Sequence, residues 1–142
     1  MREIKFRGKP IEDYGDVKWF YGNAVLNYDD KLAYIEADRQ GYVPVEWESI
    51  GQYTGLKDRN GREIYEGDIL QISNKENKDY HMEVLWTGQG FGYRIIRNET
   101  KRSGYIVGHH SERGLNFYNR ASEVIGNIYE DPELLEASHA SK

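Results

Sequence analysis

The chain of 142 residues contains no cysteine, so disulfide bonds, thiol nucleophiles and cysteine–zinc sites are excluded. It contains three prolines against fifteen glycines, a balance that is typical of strands joined by tight turns. It also lacks an apolar run of the roughly twenty residues that a membrane span requires, and its start, MREIKFRGK, lacks the apolar core of a signal peptide. We therefore expect a soluble, cytoplasmic protein with no membrane partner.

What the chain does contain is aromatic and charged residues, at 13% and 30% of the composition. Disordered chains are poor in aromatic residues, so this composition indicates a folded protein. The net charge of −5 argues against broad, nonspecific binding to nucleic acid, because neutralisation of phosphates dominates that affinity. The charge is uneven, however. Residues 91–120 carry six Lys and Arg against two Glu, or +4, and the rest carries thirteen against twenty-two, or −9.

Alternation of apolar and polar residues predicts β-structure throughout the N-terminal third of the chain. REIKFRGK places Ile4 and Phe6 on one face of a strand. VKWFYGNAVL is rich in aromatic and β-branched residues and is interrupted by Gly22-Asn23, which predicts a hairpin turn. RQGYVPVEW carries Pro44, which is typical of an edge strand or a strand end and not of a central strand.

The central stretch YTGLKDRNGREIYEGDIL, residues 53–70, contains two glycine-centred reversals. Asn60-Gly61 is the strongest hairpin signal in the chain because these residues adopt positive φ readily. A second reversal is predicted at Gly67-Asp68. Strands are predicted in DILQIS, HMEVLW, FGYRII, YIV and SEVIGNIY. The residues of this region expected to face the core are Ile64, Ile69 and Ile72.

A helical pattern occurs at the C-terminal end, in PELLEAS. Asp131 is suited to be the N-cap residue of a helix whose first residue is Pro132. Glu133 adds a favourable negative charge to the first turn of that helix. This pattern predicts one or two helical turns, followed by HASK as a frayed tail.

Two long motifs, IGQYTGLKDRNGREIYEGDIL and VIGNIYEDPELL, resemble the YopX family of phage and prophage proteins. REIKFRGK and WFYGNAV are similar to the family as well, whereas residues 27–39 and 73–120 match loosely. The resemblance implies a mainly β fold: an N-terminal β region over residues 1–50, a small SH3-like β-barrel over 51–130, and a short C-terminal helix with a frayed tail over 131–142. Members tend to form homo-oligomers. No activity is assigned to the family, so it supplies no catalytic residues.

The acids of the central stretch do not have the spacing of a calcium loop. Counted from Asp58, an EF-hand loop requires glycine at the sixth position and glutamate at the twelfth. Here glycine is at the fourth position and Ile69 is at the twelfth. We therefore interpret the acids as groups that hydrogen-bond to turn amides. The predicted structural turn residues are Asn60, Gly61, Gly67 and Asp68.

No catalytic or cofactor-binding constellation stands out in the sequence. His109 and His110 are adjacent, so on a strand they point to opposite faces and are not expected to bind one metal ion. GQGFG lacks the G-x-G-x-x-G spacing, and neither a P-loop nor G-x-S-x-G occurs. We expect no metal, no cofactor and no enzymatic activity, although twenty-four acidic residues leave accidental carboxylate pairs open.

The basic segment FGYRIIRNETKRSGY supports two interpretations. Its aromatic side chains could stack on bases while its cations contact phosphates, as on one face of small nucleic-acid-binding barrels. Alternatively, Phe91, Tyr93 and Ile95 face the core and the basic side docks on an acidic face of a neighbouring subunit. The candidate nucleic-acid-binding residues are Arg94, Arg97, Lys101 and Arg102. We expect a non-enzymatic, self-associating protein that also binds a host or phage protein, with nucleic-acid binding as the alternative.

Overall fold

A computed structural model describes residues 3–72, 81–88, 90–96, 105–107 and 121–135. These residues form eleven strands in two antiparallel sheets, so the expected mainly β fold is confirmed. The chain divides into two compact units, residues 1–55 and 56–142, whereas the sequence placed the boundary after Ile50. Within the described ranges, no helix has the length and apolar character needed to cross a bilayer.

Five strands begin in the first unit, and the last of them continues past its boundary. They are β1 (Phe6–Gly8), β2 (Phe20–Asn27), β3 (Leu32–Ala37), β4 (Gly41–Val45) and β5 (Gly51–Lys57). Their order in the sheet is β4-β3-β2-β1-β5. The strand with Pro44 was expected at an edge or with Pro44 at a strand end, and β4 ends this order, although Pro10 bridges Val45 on its outer side. A 3-10 helix at Trp47–Ser49 leads from β4 to β5.

The hairpin turn predicted at Gly22-Asn23 was wrong, because β2 runs without interruption from Phe20 to Asn27. Gly22 instead permits a close approach of two strands. A Cβ at this position would collide with the backbone carbonyl oxygen of Glu36 on β3. The turn between β2 and β3 lies at residues 28–31, where Lys31 adopts a φ of 54°. Glycine is thus required by backbone packing rather than by a reversal.

The inner face of the first sheet forms a hydrophobic core. Its buried residues are Phe20, Ala33, Ile35, Ala37, Val43 and Val45. Tyr14 covers part of it, with its ring edge-to-face on Phe20 at a centroid distance of 5.0 Å. Ile4, which was expected to share a strand face with Phe6, precedes β1 and is exposed. Because core residues alternate along β2 and β3, the intervening residues form a separate outer face.

Six strands belong to the second unit. They are β6 (Glu63–Tyr65), β7 (Asp68–Ile72), β8 (His81–Trp86), β9 (Phe91–Ile96), β10 (Tyr105–Val107) and β11 (Ser122–Asn127). β6 lies beside β5, and the others form a sheet in the order β10-β9-β8-β7-β11. The core residues are Ile64, Leu70, Met82, Val84, Tyr93 and Val124. Neither strand order returns to its starting strand in the described residues, so the expected closed barrel is not seen.

The expected C-terminal helix is represented by a short 3-10 helix at Pro132–Leu135. The carboxylate of Asp131 points back to β11, where its Oδ2 accepts a hydrogen bond from the N–H of Asn127 at 3.2 Å. Gly126 lies at a register shift in β11, which marks a bulge or irregularity, and a Cβ there would lie 2.5 Å from Oδ2 of Asp131. The predicted frayed tail lies outside the described residues.

Candidate functional site

The carboxylate of Asp58 fixes the Asn60-Gly61 turn. Its Oδ1 accepts hydrogen bonds from the N–H groups of Asn60 (2.8 Å) and Arg62 (2.9 Å). Its Oδ2 accepts one from the N–H of Val124 at 2.9 Å. Gly61 adopts a φ of 85°, in the region that favours glycine. Both oxygens of this buried acid are therefore occupied by backbone donors.

Gly67 and Asp68 form a second reversal of the chain. It connects β6, which lies beside β5, to β7 in the other sheet. It therefore does not join two strands that pair with each other. Gly67 has a φ of 95°, and its N–H donates to the carbonyl of Val84 at 2.9 Å while its own carbonyl accepts from Ile128 at 2.8 Å. Oδ2 of the buried Asp68 accepts a hydrogen bond from the N–H of Tyr65 at 2.7 Å.

Metal ligands do not cluster in the part of the chain that the structure describes: no group of three or more His, Asp or Glu side chains there could hold an ion. His81 lies at the start of β8. His109 and His110, singled out in the sequence, lie outside the described residues.

Arg94, the first of the candidate nucleic-acid-binding residues, lies opposite Glu83 on the neighbouring strand. Its Nε is 3.7 Å from Oε1 of Glu83, a distance that permits an ion pair without a hydrogen bond. Burial raises the pKa of the Glu83 carboxyl group, and the nearby charge of Arg94 opposes that rise. The charge of Arg94 is thus partly offset within its own sheet. Arg97, Lys101 and Arg102 lie outside the described residues.

The outer face of the first sheet carries four of the ten large hydrophobic side chains that are exposed in the described part of the chain. Residues directly opposite in an antiparallel pair share a face. The register therefore defines this outer face as Arg7, Tyr21, Asn23, Val25, Asn27, Leu32, Tyr34, Glu36, Tyr42 and Pro44. Four of these side chains are strongly exposed: Tyr42 (62%), Val25 (47%), Tyr21 (45%) and Leu32 (45%).

The composition of the outer face is that of a protein interface. Tyrosine combines a large apolar ring with a polar tip and is enriched where proteins meet. Glu36 is the one exposed residue of the defined face that carries a charge, since Arg7 is buried. Exposed apolar surface that is contiguous marks interaction sites more often than isolated apolar residues do. The arrangement is therefore suited to binding another polypeptide.

Sequence reasoning missed the outer face, although β2 carried a signal for it. Phe20, Ala24 and Leu26 point to the core or its margin, yet Tyr21 and Val25 make the opposite face apolar as well. A strand with apolar residues on both faces is typical of one that is covered on both. Aromatic residues favour strands in any case, so the aromatic content of this segment alone does not indicate an exposed face.

A cleft of about 580 Å³ borders the outer face at one end. Residues 3–5 form one wall, and Tyr21 and Asn23 of β2 contribute to another. Glu36 and the turn that contains Asp38 complete the lining. The cleft thus combines backbone and charged side chains, whereas the outer face is mainly apolar.

The two antiparallel sheets of the described residues define a small, mainly β protein. The family model described as "YopX protein" matches residues 5–136, so the chain belongs to the YopX family and the resemblance found in its motifs is confirmed. Among solved structures, protein EF1440 from Enterococcus faecalis is similar at 25% identity, covering 95% of this chain and 99% of that one, with a TM-score of 0.46. No curated protein matches the chain.

Proposed function

We propose that the protein is a non-enzymatic, self-associating protein-interaction module that is encoded by phage or prophage and also binds a host or phage protein. The observation that supports this function best is the outer face. Eight of the ten large exposed hydrophobic residues in the described ranges lie in the first unit, and Trp86 and Ile128 are the other two. Four of those eight share the outer face.

The size of the hydrophobic contribution suits a weak association. Full burial of a Val or Leu side chain is worth about 1.5–3 kcal/mol, so completing the burial of a half-exposed one is worth about 1 kcal/mol. A twofold pair brings together the four exposed side chains of each copy, for about 8 kcal/mol in total by the same scale. The loss of translational and rotational freedom costs about 4–15 kcal/mol. We therefore expect association that depends strongly on concentration.

Charge on the outer face is compatible with pairing of identical copies. Glu36 is its single exposed charged member, because Arg7 is buried, so two faces can meet without strong repulsion if the two Glu36 side chains are offset. A twofold interface pairs residue i of one copy with residue j of the other, which permits such an offset. The lack of exposed cations makes this face unsuited to a phosphate backbone.

Sedimentation velocity over a range of protein concentrations tests this function. The wild type is expected to sediment faster as concentration rises, and Val25→Lys is expected to remain monomeric because it places a charge in the interface. Val17→Lys is the matched control, since Val17 is exposed to a similar degree (44%) but lies outside the outer face. A monomeric wild type at every concentration, or equal association of both variants, contradicts the proposal.

Three finer assignments belong to the same proposal. The second unit is related to small SH3-like barrels, the protein acts in the cytoplasm of a bacterial host, and it has no catalytic activity. The motifs shared with the YopX family support the first two assignments. The use of Asp58 and Asp68 as acceptors for backbone N–H groups supports the third.

A nucleic-acid-binding module is the second candidate, and the half-exposed side chain of Arg94 favours it. Its pairing with Glu83 weakens this candidate, because the charge available to phosphate is reduced. Fluorescence anisotropy with labelled oligonucleotides at low salt is the test. Salt-sensitive binding that Arg94→Glu and Arg97→Glu weaken would support nucleic-acid binding. Absence of binding at low salt eliminates it.

A further inference from the structure

Asn60 is the one asparagine of the chain that is followed by glycine. Such a pair deamidates more readily than other asparagines, because glycine has no side chain to hinder attack of its backbone nitrogen on the preceding side-chain amide. Both residues are exposed. A Cβ added to Gly61 would meet no atom within 4 Å beyond its chain neighbours. Water and hydroxide therefore reach this pair.

The backbone around this pair forms a type I turn. The N–H of Gly61 donates a hydrogen bond to the carbonyl of Asp58 at 3.0 Å, and Arg59 and Asn60 both have negative φ. The third residue of such a turn, here Asn60, has a ψ of about 0°. Gly61 follows with a φ of 85°, as in the bulge that often completes a type I hairpin turn. The turn therefore fixes the backbone on both sides of the reactive amide.

This geometry holds the reacting atoms apart. Deamidation joins the nitrogen of Gly61 to Cγ of Asn60 in a five-membered ring, which requires that nitrogen to lie beside Cβ of Asn60 when viewed along the Cα–C bond. From a ψ of about 0°, the backbone must rotate by about a third of a full turn to bring it there. The carboxylate of Asp58 opposes this rotation, because its Oδ1 accepts from the N–H groups of Asn60 (2.8 Å) and Arg62 (2.9 Å), on either side of the bond that must turn.

We propose that Asn60 is a site of spontaneous deamidation, which Asp58 suppresses in the folded protein by holding the turn closed. When the turn opens, the nitrogen of Gly61 loses its proton to hydroxide and forms a bond to Cγ of Asn60. The bond from Cγ to Nδ2 breaks, and that nitrogen takes a proton from water and leaves as ammonia. Water then opens the succinimide ring at either carbonyl carbon, which leaves aspartate or isoaspartate at this position. The net reaction consumes one water and releases one ammonia.

The isoaspartate product does not fit the turn. Its main chain runs through the former side chain and is one methylene longer, so the N–H groups of Gly61 and Arg62 no longer match their acceptors on Asp58. The same carboxylate accepts a hydrogen bond from the N–H of Val124 on β11 at 2.9 Å. Deamidation thus converts a reversible opening of the turn into a permanent loss of its link to the last strand.

The test is peptide mapping by mass spectrometry of the full chain after incubation at pH 8, either folded or in concentrated urea. In urea, we expect deamidation first at Asn60. The folded wild type should react at least about tenfold more slowly at this residue, because the reaction follows the population of open turns. Gly61→Ala should slow the reaction severalfold in urea, since its methyl group hinders the attacking nitrogen.

Two further variants test the role of the carboxylate. Asp58→Ala, shown to be folded by circular dichroism, should deamidate at least about fivefold faster than the wild type, because its turn opens more often. Asp16→Ala, which removes an exposed carboxylate elsewhere, should react at the wild-type rate. Equal rates in folded and unfolded wild type, earlier reaction of another asparagine in urea, or an unchanged rate in folded Asp58→Ala would overturn the inference. If Asp58→Ala does not fold, the comparison of folded and unfolded wild type still decides.

Discussion

Oδ2 of Asp58 accepts a hydrogen bond from the N–H of Val124, 66 residues farther along the chain, at 2.9 Å. The same turn is tied to β11 a second time, because the N–H of Arg59 donates to the carbonyl of Ser122 at 3.0 Å. The glycine turn after β5 and the last strand of the protein are therefore held together by buried polar contacts. One carboxylate sets the shape of the turn and links it to a distant strand.

Replacing Asp58 by alanine should destabilise the second unit substantially. Three backbone N–H groups would lose their acceptor, and the one on Val124 is buried. Leaving buried donors unsatisfied costs about 1–3 kcal/mol each, so we expect a loss of roughly 3 kcal/mol in the free energy of unfolding. Urea denaturation measures it, with the exposed Asp16→Ala as control. Equal stability of the two variants would contradict this role of Asp58.

Gly22→Ala should lower the free energy of unfolding more than Gly61→Ala does. Gly61→Ala places a Cβ in open space and costs only the positive φ, about 1 kcal/mol. Gly22→Ala drives a Cβ into the carbonyl oxygen of Glu36 and forces two strands apart, for which we expect more than about 2 kcal/mol. Urea midpoints of the two variants measured side by side give the order. A larger loss for Gly61→Ala would show that β2 and β3 are farther apart.

Because Glu83 is buried, the protein should be less stable at pH values above the ordinary pKa of this carboxyl group than below it. Since burial raises the pKa of this carboxyl in the folded state, the folded protein binds the proton more tightly than the unfolded chain does. The stability from this group is present below about pH 4.5, the unperturbed value, and is lost as pH rises through the folded pKa.

Glu83→Gln removes that dependence. We expect the melting temperature of Glu83→Gln, relative to wild type, to be higher at pH 7 than at pH 4. Arg94 loses its charged partner in this variant. This loss alters the size of the difference in melting temperature at pH 7, but not the direction in which that difference changes with pH. Calorimetry at several pH values gives the result. A difference that grows toward low pH would mean that Glu83 is stabilised in its charged form.

The fold was predictable where one physical signal dominates. Strand-forming patterns identified β8 and β9, and Pro44 indicated an edge or a strand end for β4 because proline cannot donate to a second neighbour. The turn prediction at Gly22-Asn23 was wrong because the sequence does not distinguish a glycine required for a turn from a glycine required for the close approach of a neighbouring carbonyl group. The reversal at Gly67 was located, but its change of sheet depends on long-range pairing that local residues do not encode.

The candidate site was less accessible from the sequence. The sequence indicated the basic segment as a candidate site, because a cluster of cationic residues can be recognised from the sequence alone. The outer face depends on register: Val25 and Tyr34 become neighbours only when β2 and β3 pair. Pairwise geometry, not composition, creates this feature.

The most direct measurement of the central claim is hydroxyl-radical footprinting with mass spectrometry at low and high protein concentration. Tyr21 and Tyr42 should be oxidised in dilute samples and protected at concentrations where sedimentation shows association. Trp86, which is 52% exposed but lies outside the outer face, should remain reactive throughout. Unchanged oxidation of both tyrosines in the associated protein would contradict the assignment of the outer face as the interface.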